Sequence, residues 1–145
     1  MSVYADTSVI VSIYMLERHS LRAQQWLAAE PVLWLTPLHV AEMTHAIEQH
    51  VFWKKLTPAN AVRLHETFKH HRETGFWREV AFPEFAFVRC MDLARRHCSR
   101  LGLRTLDTLH VAAALELRAS AFWTFDDRQA ALAKAEDLRT RSIQT

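Results

Sequence analysis

Apolar and polar positions along the chain follow two periods. Short, mostly apolar runs at Val3-Tyr4-Ala5, Val32-Leu33-Trp34-Leu35 and Ala121 to Thr124 read as buried strands. Between them the pattern changes to helical spacing. Ser8 to Tyr14 reads as the first turns of a helix, and Ser20 to about Ala29 as a second, with Leu21, Trp26 and Leu27 as its apolar contacts and Pro31 as its stop. Thr36-Pro37 and Thr57-Pro58 each pair an N-cap hydroxyl with proline at the first helical position. They open helices to about Phe52, with a Val40-Met43-Ile47-Val51 stripe, and to about His71, with Ala61, Leu64 and Phe68 inward. After Gly75, Phe76 to Phe82 has room for a short strand. Pro83 to about Ser99 is expected to be helical, with Phe87, Met91 and Ala94 along its apolar face, and Gly102 closes it. Leu106 to Leu117 is apolar nearly all round, as in a helix buried on most sides. A helix from Asp127 to about Ala135 and an edge strand from Arg139 to Ile143 complete the alternation. Strands alternating with helices predict an α/β fold of three layers, a central parallel sheet flanked by helices.

Length and composition narrow this picture. A chain of 145 residues, half hydrophobic and 23% charged, is expected to form one globular domain over residues 1–145. No apolar run reaches the roughly 18–20 residues that cross a bilayer, and no secretory signal is visible, so no membrane association and a cytoplasmic location are expected. Cys90 and Cys98 fall on one helix roughly 12 Å apart, too far to bridge. With two glycines in the whole chain, phosphate-cradling glycine loops are excluded. The net charge of +2 excludes nucleic-acid binding by bulk charge alone, although 14 of the 18 basic residues are arginine, whose planar fork suits phosphate.

The candidate chemistry lies in four acids. Asp6 and Asp126 follow strands, while Glu42 and Asp107 lie early in helices, and in an open parallel sheet such positions converge on one edge. Close carboxylates repel by a few kcal/mol per pair at an effective dielectric near 20, and hard divalent ions relieve that repulsion. Each acid also has a structural reading. Asp6 and Asp126 suit N-caps, the latter with Gln129 three residues on, and Asp107 opens a helix. Glu42 lies opposite the apolar stripe of its helix, beside His45 and Gln49, as a surface acid would. The nine histidines are read as structural or supporting residues, because no His pair has a telling spacing.

Asp6-Thr7-Ser8, Ala41-Glu42, the run Arg104-Thr105-Leu106-Asp107-Thr108-Leu109-His110-Val111-Ala112-Ala113-Ala114, and Trp123-Thr124-Phe125-Asp126 resemble, in order and over the whole chain, the PIN-domain ribonucleases. At this length the chain looks most like the VapC-type toxins of toxin–antitoxin pairs. The resemblance implies a PIN-like fold and a metal-dependent endoribonuclease. Asp6, Glu42, Asp107 and Asp126 would gather Mg²⁺ or Mn²⁺, with Ser8 and Thr124 as supporting hydroxyls. It also implies a cognate antitoxin, an RNA substrate and a homodimer.

Arg95, Arg96, Arg100 and Arg104 lead up to Asp107 and are candidates for steering RNA phosphates, or simply complement a helix C-terminus. Two rival readings remain open: a catalytically silent interaction module of the same fold, and a metal-dependent phosphatase acting on small phosphoesters. Against the second, position 8 is serine where aspartyl-phosphate enzymes commonly carry a second aspartate.

Overall fold

In a computed structural model of the chain, residues 1–142 are described. The strands are β1 (Ser2–Ala5), β2 (Val32–Leu35), β3 (Trp77–Glu79), β4 (Ala121–Trp123) and β5 (Thr140–Arg141). They form one parallel sheet in the order β3-β2-β1-β4-β5. Of the predicted last strand, Thr140–Arg141 form β5, and Ile143 lies outside the described residues.

Period-two alternation decides what each strand buries. Val3, Ala5, Leu33, Leu35, Ala121 and Trp123 belong to one core. There they meet residues of helices α1 (Thr7–Tyr14), α2 (Ser20–Leu27), α3 (Pro37–Phe52) and α4 (Pro58–Glu73). Tyr4, Trp34 and Phe122 point into the other, built by α5 (Ala86–Leu93), α7 (Thr105–Glu116) and α8 (Asp127–Ala135). These are the three layers expected. Both proline starts open helices as predicted, with Thr36 and Thr57 accepting from the backbone N–H three residues on.

The region after Pro83 departs from expectation. Instead of one helix to Ser99, α5 runs into a π-helical stretch, Ala94–Cys98, and the short α6 (Ser99–Leu101). Ala86, Leu93 and His97 are buried, whereas Phe87 and Met91 are 61% and 66% exposed. The exposed Phe87 and Met91 lie within α5, ahead of the π-helical stretch, so the face that α5 buries is the one carrying Ala86 and Leu93. Leu21, expected as an inward contact of α2, is exposed as well.

Helix ends show one more feature. Gly102 takes a left-handed conformation just past α6, as a C′ glycine does. Glu30, Lys54, Arg118 and Asp137 adopt the same region (φ between 50° and 61°) shortly after α2, α3, α7 and α8, without being glycine.

The strand order matters for function. The chain moves outward from β1 to β2 on one side and to β4 on the other, so a crevice opens beyond the carboxyl ends of these central strands. Asp6 follows β1 and Thr124 follows β4.

Candidate active site

Asp6 is the residue where strand pairing ends and α1 begins. Its N–H still bonds to the Trp123 carbonyl (3.0 Å), while its Oδ1 caps α1 by accepting from the Val9 N–H (3.1 Å). The carboxyl is buried, and hydroxyls surround it: Ser8 Oγ donates to Oδ1 at 2.7 Å, and Thr124 Oγ1 lies 2.9 Å from Oδ2. Burial pushes its pKa up, against the hydrogen bonds that pull the other way. Asp6 therefore is the cap that the local pattern suggested and also a buried acid.

Counting protons around Thr124 sharpens this. Its single hydroxyl proton faces two acceptors, Asp6 Oδ2 and Gln129 Oε1 (2.7 Å), while its oxygen accepts from the Asp126 N–H (3.0 Å). The Gln129 amide cannot be turned over to help, because its Nε2 donates to the Asp107 carbonyl at 3.0 Å. One donor is missing. A proton on Asp6, or a cation beside it, supplies what this cluster lacks.

The same web ties in two of the other acids. Gln129 reaches the backbone of Asp107, and its own N–H donates to Asp126 Oδ1 (2.9 Å), the N-cap of α8. Asp127 lies in the first turn, exposed. Asp107 sits at the start of α7 with its side chain 20% exposed, and Arg104 Nε donates to Oδ2 at 3.2 Å.

Glu42 is no surface acid. Its Oε1 accepts from the Thr7 hydroxyl (2.8 Å) and from His110 Nε2 (2.5 Å), and Thr7 adjoins Asp6. Burial would raise its pKa, but the hydrogen bonds from His110 and Thr7 hold it below the usual range. His110 is buried and meets the Tyr4 hydroxyl through Nδ1 at 2.7 Å. His39, fully buried, donates from Nε2 to the Ala5 carbonyl (2.8 Å) and accepts the Thr36 N–H on Nδ1 (3.0 Å). Burial keeps it neutral, its pKa driven down to about 3. Sequence reasoning gave no role to Tyr4 or Thr7, took His110 only as one of the structural or supporting histidines, and took Gln129 only as a capping partner of Asp126. The available signal was a polar atom within a buried run, which must find a partner somewhere in the fold.

The family profile of the PIN domain matches residues 3–135. The chain belongs to the PIN-domain family. No curated protein sequence matches it. Solved structures match in fold. FitAcB from Neisseria gonorrhoeae is 19% identical, with 95% of each chain covered and a TM-score of 0.71. VapBC2 from Rickettsia felis, bound to a promoter DNA fragment, is 14% identical over 98% of each chain, with a TM-score of 0.67. VapC20 from Mycobacterium tuberculosis, described as a Sarcin-Ricin loop cleaving toxin, is 15% identical over 89% of this chain and 93% of its own, with a TM-score of 0.68.

In this PIN domain the candidate basic strip is only partly available. Arg96 forks onto Asp92 (2.8 Å) and Glu136 (2.8 Å), holding Glu136 down to about 2. Arg100 hydrogen-bonds to His97, and Arg104 contacts Asp107 while remaining 86% exposed. Thr7, Ser8, Glu42, His45, Trp53 and Arg104 are among the residues lining an open cleft of about 780 Å³. Among the described residues, no three His, Cys, Asp or Glu side chains are gathered closely enough to hold a metal ion. The chemistry of the donors nonetheless fits a hard divalent cation: the acids offer only oxygen, and among the described residues no side chain forms a salt bridge with the buried Asp6 carboxyl. No described helix is long and apolar enough to cross a membrane.

Proposed function

We propose that this PIN domain is an Mg²⁺- or Mn²⁺-dependent endoribonuclease and the toxin of a toxin–antitoxin pair. The observation that carries the reading is Asp6. It is a buried carboxyl at the crevice of the sheet, short of one proton or cation, and linked through Thr124, Gln129 and Thr7 to the elements that bear Asp107, Asp126 and Glu42. Asp6, Asp107, Asp126 and Glu42 would hold the metal. When bound, it supplies charge neutralisation at phosphorus and a more acidic water.

The chain's own residues do the rest. Ser8 and Thr124 fix the two oxygens of Asp6, so its carboxyl cannot rotate. Thr7 and His110 fix Glu42. Arg104, exposed beside Asp107, is placed to meet a phosphate at the mouth of the cleft, and Arg95 and Arg100 are exposed further back. The likeness to VapBC2 and FitAcB supports a cognate antitoxin as partner; a second copy of the chain in the active assembly and a cytoplasmic site of action complete the reading.

The purified protein should cleave single-stranded RNA internally when Mn²⁺ or Mg²⁺ is added. It should leave a phosphomonoester untouched and lose cleavage in Asp6→Asn. Turnover of the phosphomonoester with RNA left intact would replace this reading with the phosphatase one. Metal binding without any cleavage would favour an interaction module.

A further inference from the structure

We propose that His110, seated on Tyr4, is a positioning residue for Glu42: it fixes one carboxylate oxygen and leaves the other to the metal. This rests on the metal-dependent reading above. Its basis is the asymmetry of Glu42. Both donors, Thr7 Oγ1 at 2.8 Å and His110 Nε2 at 2.5 Å, converge on Oε1, and no hydrogen bond to Oε2 occurs among the described residues. A carboxylate gripped by one oxygen presents the lone pairs of the other in a fixed direction.

The direction of the relay follows from donor counting. Glu42 can only accept, so His110 carries its proton on Nε2. The other ring nitrogen, Nδ1, lies 2.7 Å from the Tyr4 hydroxyl, so the imidazole is held at both nitrogens. Packing fixes the ring plane as well: His39 lies 5.0 Å and Tyr4 5.7 Å from the His110 ring, centroid to centroid. His39 is neutral and brings no charge to the stack.

His110 also stands one turn beyond Asp107 on α7. Residues three apart share a helix face, so a single rigid element carries one acid and the clamp of another. Glu42 arrives from α3, a separate element. Through His110 its position is referred to α7, and the spacing of the two acids no longer depends on how α3 drifts.

The test is Mn²⁺ binding by calorimetry to the full chain, with unfolding in EDTA measured in parallel. His110→Leu should weaken Mn²⁺ roughly 10- to 100-fold, the usual cost of losing such a supporting partner. Tyr4→Phe, which adds no volume, should weaken it less. His110→Gln, whose amide can still donate to Oε1, should recover most of the affinity. In a Glu42→Gln background His110→Leu should have almost no further effect on Mn²⁺.

A purely structural His110 would lower stability in EDTA and leave Mn²⁺ affinity unchanged, which would overturn the proposal. If His110→Leu does not fold, an unchanged affinity in Tyr4→Phe overturns it equally. Binding that is lost in Asp6→Asn but intact in both Tyr4→Phe and His110→Leu rejects only the positioning role. Wild-type protein that binds no Mn²⁺ rejects the metal reading and this proposal together.

Discussion

Asp6 and Glu42 belong to adjoining elements, with Thr7 between them, yet their surroundings act on them in opposite senses. Asp6 is deeply buried among hydroxyls and a backbone N–H, and burial drives its pKa up. Glu42 is half-buried against an imidazole and a hydroxyl, and is held ionised. Titratable groups whose environments push them apart are a recurring mark of reaction sites. The two also differ in reach. The Asp6 carboxyl meets Ser8 and Val9 within three residues, and its one remote partner among the described residues is Thr124. Glu42 is fixed by residues 35 and 68 positions away. One acid is therefore tied to its own turn, and the other to the assembled fold.

The largest effect should come from acid titration on the imidazole side. His39 titrates near 6.5 when unfolded and near 3 when folded, so below pH 6.5 the unfolded chain binds a proton that the folded one refuses. The stability it confers is complete above that value and falls by about 1.4 kcal/mol per pH unit on acidification through the window. Asp6, shifted upward, acts with the opposite sign at the acid end. Urea unfolding from pH 7 to 4 should show the slope, and His39→Gln should flatten it. An equal slope in the variant would transfer the effect to other groups.

Breaking the hydroxyl side should be next in size. At a Mn²⁺ concentration of about 100 times Kd, mass action stabilises the fold by about 2.7 kcal/mol. Asp6→Asn should abolish that gain in a thermal melt. A full gain in the variant would remove Asp6 from the metal set.

Thr124→Val should follow. It strips an acceptor from the Asp126 N–H and the single proton that faces two oxygens, at a cost of about 1–3 kcal/mol. Ser8 is exposed, and Ser8→Ala should stay within about 0.5 kcal/mol. Equal costs in denaturant unfolding would mean that the proton count around Thr124 is wrong.

The smallest effects distinguish Asp126 from Asp127. Asparagine caps about as well as aspartate, so Asp126→Asn should keep stability within about 1 kcal/mol while losing metal-dependent RNA cleavage. Asp127→Asn should cost only tenths of a kcal/mol and stay active. The reverse pattern in a cleavage assay would move the fourth acid to Asp127.

The same contrast of reach explains what the sequence made legible. The apolar strand runs, the proline starts of α3 and α4, and the caps at Asp6 and Asp126 are local, and each lies close to where the pattern put it. The hydroxyls of Ser8 and Thr124 were singled out because they flank acids in short motifs. Tyr4 was not, and His110 and Gln129 were read only as a supporting histidine and a capping partner, because their other contacts exist only once β1, α3, α7 and α8 are assembled. Glu42 looked solvated on its own helix because a helical wheel cannot show the neighbouring α7. The α5 error is of the same kind: periodicity locates an apolar stripe without saying what covers it.

The left-handed residues after α2, α3, α7 and α8 have a practical consequence for such experiments. An L-residue there carries roughly 1–2 kcal/mol of steric cost that glycine avoids. Glu30, Lys54, Arg118 and Asp137 are all exposed, and none belongs to the hydrogen-bonded web around Asp6. Glycine at these four positions offers a stabilised background with an unaltered reaction centre. Substitutions at Thr124 or His110 too damaging for the natural chain could then be purified and assayed as folded protein.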